Sequence, residues 1–212
     1  MDTTWKEILK EKLTHTLPGD AAHTNMQPDS RKLQAQIMQA KFPKPRLGGV
    51  VVLIYPKNGA WHLNFMLRTD YEGTHGGQVS FPGGKYEDSD ADLSETALRE
   101  MEEEVGVKKN EVEILGKLSA LYIPPSNFEV HPLVCLAEKR LEFIPDPLEV
   151  AEIIEIPISH LLNPAIQGVD IFRRDSKFQI QAPYYQFEKH KIWGATAMIL
   201  SEFLSIGEEL FD

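Results

Sequence analysis

The sequence predicts an α/β chain of the α+β kind, a mixed β-sheet sandwiched between helices (α/β/α) with an N-terminal helical extension. Three observations carry this. A hairpin pattern runs from Gly49 to Arg68, a capped helix follows near Asp92 to Gly106, and an apolar helix is written near the end of the sequence. The other strand-like runs are separated by long stretches without a helix, which does not fit a doubly wound parallel sheet, where strands and helices must alternate.

Taken in order, Trp5, Ile8, Leu9 and Leu13 recur at helical spacing, an amphipathic helix that Pro18-Gly19 would end. A second helix is predicted over Arg31 to Ala40. Polar and Pro-rich stretches such as Pro43-Lys44-Pro45-Arg46 surround these helices, so residues 1–47 read as the extension, with packing or a homodimer contact as its role, and residues 48–212 as the main domain. Gly49 to Tyr55 is apolar and β-branched, Lys57-Asn58-Gly59 is a turn signal, and Trp61 to Arg68 is the returning strand. After the short run Gln78 to Phe81, Pro82-Gly83-Gly84 opens a loop. Asp92 is placed to accept from the first backbone N–H groups of the next helix, with Glu95 completing a capping box and Gly106 as the stop. Further strands are predicted at Val112 to Leu121, Val130 to Ala137, Ala151 to Ile156 and Phe178 to Phe187, and a last helix from Trp193 to Leu204.

The 212 residues carry a formal net charge of -10, with no cluster of Lys and Arg, which argues against generic nucleic-acid binding. The single cysteine, Cys135, cannot form an intramolecular disulfide and fits a reducing compartment. It sits in the apolar run Leu133 to Leu136 and reads as a core residue. No basic-then-apolar start marks a secretory signal, and no run approaches the ~20 apolar residues of a membrane span, so a cytoplasmic location is expected.

The chemistry concentrates in Arg99-Glu100-Met101-Glu102-Glu103-Glu104-Val105-Gly106-Val107. Helical spacing puts Glu100, Glu103 and Glu104 on one face, while Leu93, Ala97, Met101 and Val105 form a separate apolar stripe. Read alone, the acidic face is either solvated surface or a site for a hard cation such as Mg²⁺ or Mn²⁺. Likewise Pro82-Gly83-Gly84 is either a tight turn or a loop whose N–H groups approach an anion.

Together, Gly84, Asp90, Arg99-Glu100, Glu103-Glu104 and Gly106 resemble the Nudix box, G-x5-E-x7-R-E-U-x-E-E-x-G-U with U a bulky apolar residue. The half from Arg99 to Val107 matches fully, whereas Asp90 replaces the early Glu and one extra residue precedes Arg99. That departure, with His75 to Gly84 upstream, is similar to the coenzyme A diphosphatase branch, whose signature has the form L-L-T-x-R-S-x3-R-x3-G-x3-F-P-G-G. Arg68, Gly77 and Phe81 to Gly84 match it; Asn64, Phe65, Met66, Thr69 and Gly73 do not. Glu149 to Glu152 and Ile192 to Ala197 also look like later parts of that branch, so the resemblance spans residues 48 to 204.

The resemblance implies a metal-dependent hydrolase that binds Mg²⁺ or Mn²⁺ through Glu100, Glu103 and Glu104 and cleaves a small nucleoside-diphosphate-linked substrate, with Glu103 or Glu104 taking the proton of the attacking water. Gly83 and Gly84 would line the site, and Arg99 would orient a box carboxylate. Asp90 would aid the metal shell or cap local backbone. Arg68 is either a phosphate contact or a strand-end arginine, Lys85 a helper from the loop, and His75 a site or an ordinary loop residue. Glu152 is an outer ligand or base, or a solvent-facing strand residue. Of Tyr122, Phe128, Tyr184, Tyr185 and Phe187, one is expected to meet a ligand. Coenzyme A or an acyl derivative is the leading substrate; ADP-ribose, a dinucleotide or a nucleotide sugar is the enzymatic alternative, and a ligand-sensing domain the non-enzymatic one.

Overall fold

The structure is a computed structural model that describes residues 4–42, 44–69, 76–173 and 179–211. Gly73 and His75 lie outside them. Three helices come first: α1 (Thr4–Thr14), α2 (Asp20–His23) and α3 (Arg31–Lys41). The hairpin follows as β1 (Arg46–Lys57) and β2 (Ala60–Arg68). Its turn is where the sequence puts it, with Asn58 and Gly59 both at positive φ (50° and 79°), the conformation of a two-residue hairpin loop.

Short strands β3 (Val79–Ser80) and β4 (Gly83–Lys85) lead to helix α4 (Leu93–Val105), and then come β5 (Glu113–Lys117), β6 (Leu121–Ile123) and β7 (Phe128–Leu136). The predicted strand Val112 to Leu121 is divided because β5 and β6 pair with different stretches of β7 on either side of Pro132, which has no N–H for a ladder. The chain continues through β8 (Val150–Pro157), the single turn α5 (Ile158–Leu161), β9 (Gln167–Arg173), β10 (Gln179–Phe187), β11 (His190–Trp193) and α6 (Gly194–Gly207). The sequence reading does not anticipate β9, whose apolar Val169 and Ile171 are 61% and 59% exposed and so give no core-facing pattern.

The main sheet has eight strands, ordered β3-β2-β1-β7-β5 with β4 on β1, β6 on β7 and β8 on β2. It is mixed: β1 and β7 run parallel, and the other pairs are antiparallel. Strands β11, β10 and β9 form a separate antiparallel sheet. Side-chain alternation along β1 divides the core in two. Val51, Leu53 and Tyr55 pack with Ala97, Met101 and Val105 of α4, while Val52 and Ile54 pack on the opposite face with Leu9 and Leu13 of α1 and Met198 and Phe203 of α6. The predicted sandwich of helices around a mixed sheet is therefore observed, and α1 is one of its layers. No described helix is long and apolar enough to cross a membrane.

A buried carboxylate ties the N-terminal helices to α6. Glu202 is fully buried, and its two oxygens accept from Gly19 N (3.0 Å), Ser119 Oγ (2.6 Å), Ser119 N (3.1 Å) and His23 Nε2 (3.1 Å). Burial pushes this carboxyl up, but the hydrogen bonds from His23, Ser119 and Gly19 outweigh it and hold the group below the ordinary glutamate value of 4.5. A carboxylate depressed in the folded state contributes stability above its unfolded pKa and loses it as pH falls through the folded one. Glu202→Ala leaves these four donors without their acceptor and is expected to cost about 3–5 kcal/mol at pH 7. Denaturant melts from pH 7 down through pH 4 check this: the wild type should lose stability below about pH 4.5, and the variant should lack that part of the acid dependence.

Candidate functional site

The site is built where β4 passes beneath α4. Asp92 caps the helix as predicted, its Oδ1 accepting from Ser94 N (2.7 Å) and Glu95 N (2.9 Å), and Gly106 ends it at φ 75°. The reciprocal half of the capping box is not made, because Glu95 pairs with Lys109 instead (2.8 Å). Strand β4 pairs with β1 through Gly84 opposite Gly49 and Gly83 opposite Val50. At Gly83, φ is 149° and a Cβ would fall 2.3 Å from the Gly49 carbonyl oxygen; at Gly84 a Cβ would fall 2.4 Å from the Glu100 Cδ. Two glycines therefore allow β4 to lie between a strand and the carboxylate face of the helix.

Each box carboxylate has a different setting. Glu104 is buried at 1% exposure, with Oε1 accepting from Arg68 Nη1 (2.9 Å) and Oε2 from Gly83 N (2.7 Å). Burial pushes its carboxyl up to about 7, against the pull of Arg68 and Gly83. Glu100 is half-buried, and burial raises it too, with Glu103 and Glu149 adding to the shift and Arg99 opposing it. Glu103 is exposed and pairs with Arg99 Nη1 at 3.0 Å.

Arg99 is held by oxygens on several sides. Its Nε and Nη2 donate to Asp90 (2.9 and 3.2 Å), Nη2 also reaches the Lys85 carbonyl (3.1 Å), and Nη1 sits 3.1 Å from Glu100. Asp90 is buried and also accepts from Thr96 Oγ1 (2.9 Å) and Glu87 N (3.0 Å). The Arg99 guanidinium beside it, then the Glu87 and Thr96 bonds, hold its carboxyl far below the usual carboxylate range despite burial. In this setting Asp90 clamps the loop to the helix.

Arg68 is placed by β2 and donates to Glu104, with Glu149 3.4 Å away on its other side. Glu149 is thus a fourth carboxylate at the site. Glu152 points elsewhere: its partners are Lys189 (3.0 Å) and His190 (3.2 Å), beside the smaller sheet. The oxygen-only donor set of Glu100, Glu103 and Glu104 suits a hard divalent cation. Among the described residues no three His, Cys, Asp or Glu side chains already converge as a metal cage, since Arg99 draws Glu103 one way and Arg68 draws Glu104 another. Chelation would require these two side chains to turn from their arginines.

A cleft of about 330 Å³ opens on the other side of β4. Its walls come from Val50 and Phe81 of the sheet region, Trp193 to Thr196 at the start of α6, Tyr122 to Ser126, and Pro28 to Gln34 of the N-terminal segment. Gly83, Gly84, Lys85 and Arg68 line it as well, so they join the cleft to the carboxylate ridge, none of whose three glutamates lines it. Of the five aromatic candidates, Tyr122 and Phe128 are on its wall, while Tyr184, Tyr185 and Phe187 are not; Trp193, stacked on Phe172 at 4.3 Å, is there unanticipated.

A family model described as the NUDIX domain matches residues 45–170. The uncharacterized Nudix hydrolase NudL of Photorhabdus laumondii is 37% identical over 130 residues, covering 61% of this chain and 68% of that protein. The mitochondrial coenzyme A diphosphatase NUDT8 of Homo sapiens is 33% identical over 171 residues, covering 80% of this chain and 72% of that one. Among solved structures, the Nudix hydrolase RenU of M. smegmatis has a TM-score of 0.46 and 17% identity, covering 56% of this chain and 74% of that chain.

The two glycines of β4 should respond differently to alanine. A Cβ at Gly83 meets backbone at 2.3 Å in a conformation unfavourable for side chains, so Gly83→Ala is expected to destabilise the fold by about 1–3 kcal/mol or more. At Gly84 the obstacle is the movable end of Glu100, so Gly84→Ala should keep most of the stability and displace that carboxylate. Thermal melts alongside Mn²⁺ titration calorimetry separate the two: Gly84→Ala should melt near the wild type yet bind Mn²⁺ about tenfold or more weakly, the loss typical of a disturbed ligand shell.

Proposed function

This chain belongs to the Nudix family of hydrolases, and from that premise we propose that it hydrolyses the diphosphate bond of coenzyme A or an acyl-CoA, yielding 3′,5′-ADP and (acyl-)phosphopantetheine. The observation that carries the reading is the junction at β4, where the ridge Glu100, Glu103 and Glu104 meets an apolar cleft through Gly83, Gly84 and Arg68. The cleft has room and aromatic walls for a nucleoside, and the ridge has the donors for the cation that a diphosphate needs beside an acidic surface. The relationship to NUDT8 over 80% of the chain supports coenzyme A as the substrate.

Glu100, Glu103 and Glu104 would hold Mg²⁺ or Mn²⁺. When bound, such an ion neutralises diphosphate oxygens and lowers the pKa of water. The chain's own groups do the rest. Arg99, fixed by Asp90, orients Glu100 and Glu103 from the side. Glu104 is held in the interior by Gly83 N and Arg68, which supports Glu103, exposed and paired with Arg99, as the carboxylate that would take a proton from the attacking water. Arg68 and Lys85, both on the cleft wall, supply positive charge toward the phosphate oxygens, and a guanidinium suits that contact through its paired donors.

A second reading, hydrolysis of ADP-ribose, a dinucleotide or a nucleotide sugar, is favoured by Gly73, which stands where the coenzyme A signature has its second arginine. A panel of these substrates with Mg²⁺ or Mn²⁺, products separated by chromatography, decides between them: rapid turnover of ADP-ribose with none of coenzyme A would remove the first reading. EDTA should abolish turnover and added Mn²⁺ restore it. Glu103→Gln is expected to lower kcat on the order of 100-fold or more, as for loss of one preorganised electrostatic group, with an unchanged melting curve; full activity in that variant would remove its assigned role.

A further inference from the structure

The cleft has a second positively charged wall that the diphosphate chemistry does not use. Arg31 opens α3 and lines the cleft, and its Nη2 donates to the Tyr122 carbonyl at 2.6 Å. That bond occupies one of the five donors of a guanidinium. The charge is partly buried, and burial lowers its pKa, with Asp20 as the opposing influence. Helix α3 packs on the turn Pro124 to Ser126. Ser126 lines the same wall, is 9% exposed, and its Oγ has no hydrogen-bond partner. A buried hydroxyl without a partner and a partly buried guanidinium on one wall are both stabilised by an anionic acceptor.

The sheet register gives the distance from the reacting end. Lys85 is opposite Gly48, Gly48 opposite Val130, and Val130 opposite Leu121, next to the carbonyl that Arg31 holds. Three inter-strand steps of ~4.8 Å put this wall about 14 Å from β4 across the sheet. One diphosphate group cannot reach both ends. A substrate with its diphosphate at Gly83 to Lys85 and a nucleoside between the aromatic walls would bring a phosphate on its sugar toward Arg31.

We propose that Arg31 and Ser126 form a second anion subsite at the far end of the cleft, which takes the phosphate monoester on the ribose of the substrate, making the N-terminal segment a specificity element. This rests on the coenzyme A reading, since that substrate has a 3′-phosphate and the alternatives named above lack one. The subsite recognises and does not react. A guanidinium that only braced the Tyr122 carbonyl would weaken all ligands alike, so a ratio is the decisive readout.

Titration calorimetry of the full chain with 3′,5′-ADP and with 5′-AMP, in parallel with kcat/KM for coenzyme A and for 3′-dephospho-coenzyme A, tests the proposal. The wild type should favour the 3′-phosphorylated member of each pair, and Arg31→Gln should reduce both preferences about 10- to 100-fold, the worth of one charge-assisted hydrogen bond. Arg31→Lys should retain part of the preference, and Ser126→Ala should reduce it by a smaller factor, which keeps the test open if the glutamine variant folds poorly. A wild type with no preference, or a preference unchanged in all three variants, overturns the subsite. Coenzyme A turnover with an unchanged ratio removes the subsite and leaves the substrate reading standing. Arg31-dependent binding of 3′,5′-ADP without coenzyme A turnover does the reverse.

Discussion

Like-charge repulsion on one face of α4 is the constraint around which the site is arranged. Glu100, Glu103 and Glu104 project from neighbouring helical positions, and nothing intrinsic to a helix holds such a set together. Here arginines come from two directions: Arg99 from the same helix and Arg68 from the end of β2. Gly83 adds a backbone N–H to Glu104, and the missing Cβ of Gly84 leaves space for the Glu100 carboxylate. The balance of charge stays partial: burial first, and the neighbouring carboxylates after it, keep both Glu100 and Glu104 above the ordinary glutamate value. A divalent cation is the kind of group that completes it.

The same constraint explains why Asp90 and Arg99 are so closely bonded. Arg99 faces both exposed and half-buried carboxylates, and a guanidinium pulled by several anions needs one fixed partner to define its position. Asp90 supplies it through two contacts while Thr96 and Glu87 fix Asp90 in turn. The extra residue between Asp90 and Arg99, relative to the general box, does not break this pairing, because the loop closes on Asp90 before the cap at Asp92 begins the helix. Spacing in the loop is therefore less restrictive than spacing in the helix, where a shift of one residue would rotate a carboxylate by about 100°.

Much of this was legible in the sequence because it is local. Helical periodicity places the three carboxylates apart from Ala97, Met101 and Val105, and Asp92 and Gly106 mark the helix ends by their own chemistry. The hairpin was equally readable from its turn. What could not be read depends on contacts between distant segments. Nothing near Arg68 in sequence announces that it meets Glu104 and Glu149, and the apolar stripe of α1 does not reveal that it forms a layer of the main core. Strand β9 was hidden because its apolar residues face outward. Trp193 was visible only as a helix neighbour, while its place on the cleft wall comes from the register of β11 on β10.

The carboxylate ridge and the cleft thus lie on opposite faces of one sheet. The carboxylate ridge belongs to the α4 face, and the cleft belongs to the face covered by α1 and α6. Among the described residues β4 and the end of β2 touch both, and at β4 the barrier between them is largely backbone because Gly83 and Gly84 have no side chains. Cleft residues on β6 and α6 pack in a different cluster from Met101 and Val105, so their replacement can reshape the cleft wall without disturbing the helix that holds the charges. Substitutions at the junction lack that freedom. Any side chain added to β4 enters either the β1 backbone or the Glu100 carboxylate, and any loss at Arg68 leaves Glu104 buried with one fewer compensating charge. Under the proposed function, specificity would therefore vary over much of the cleft, while the chemistry would be restricted to the few residues where the two faces meet.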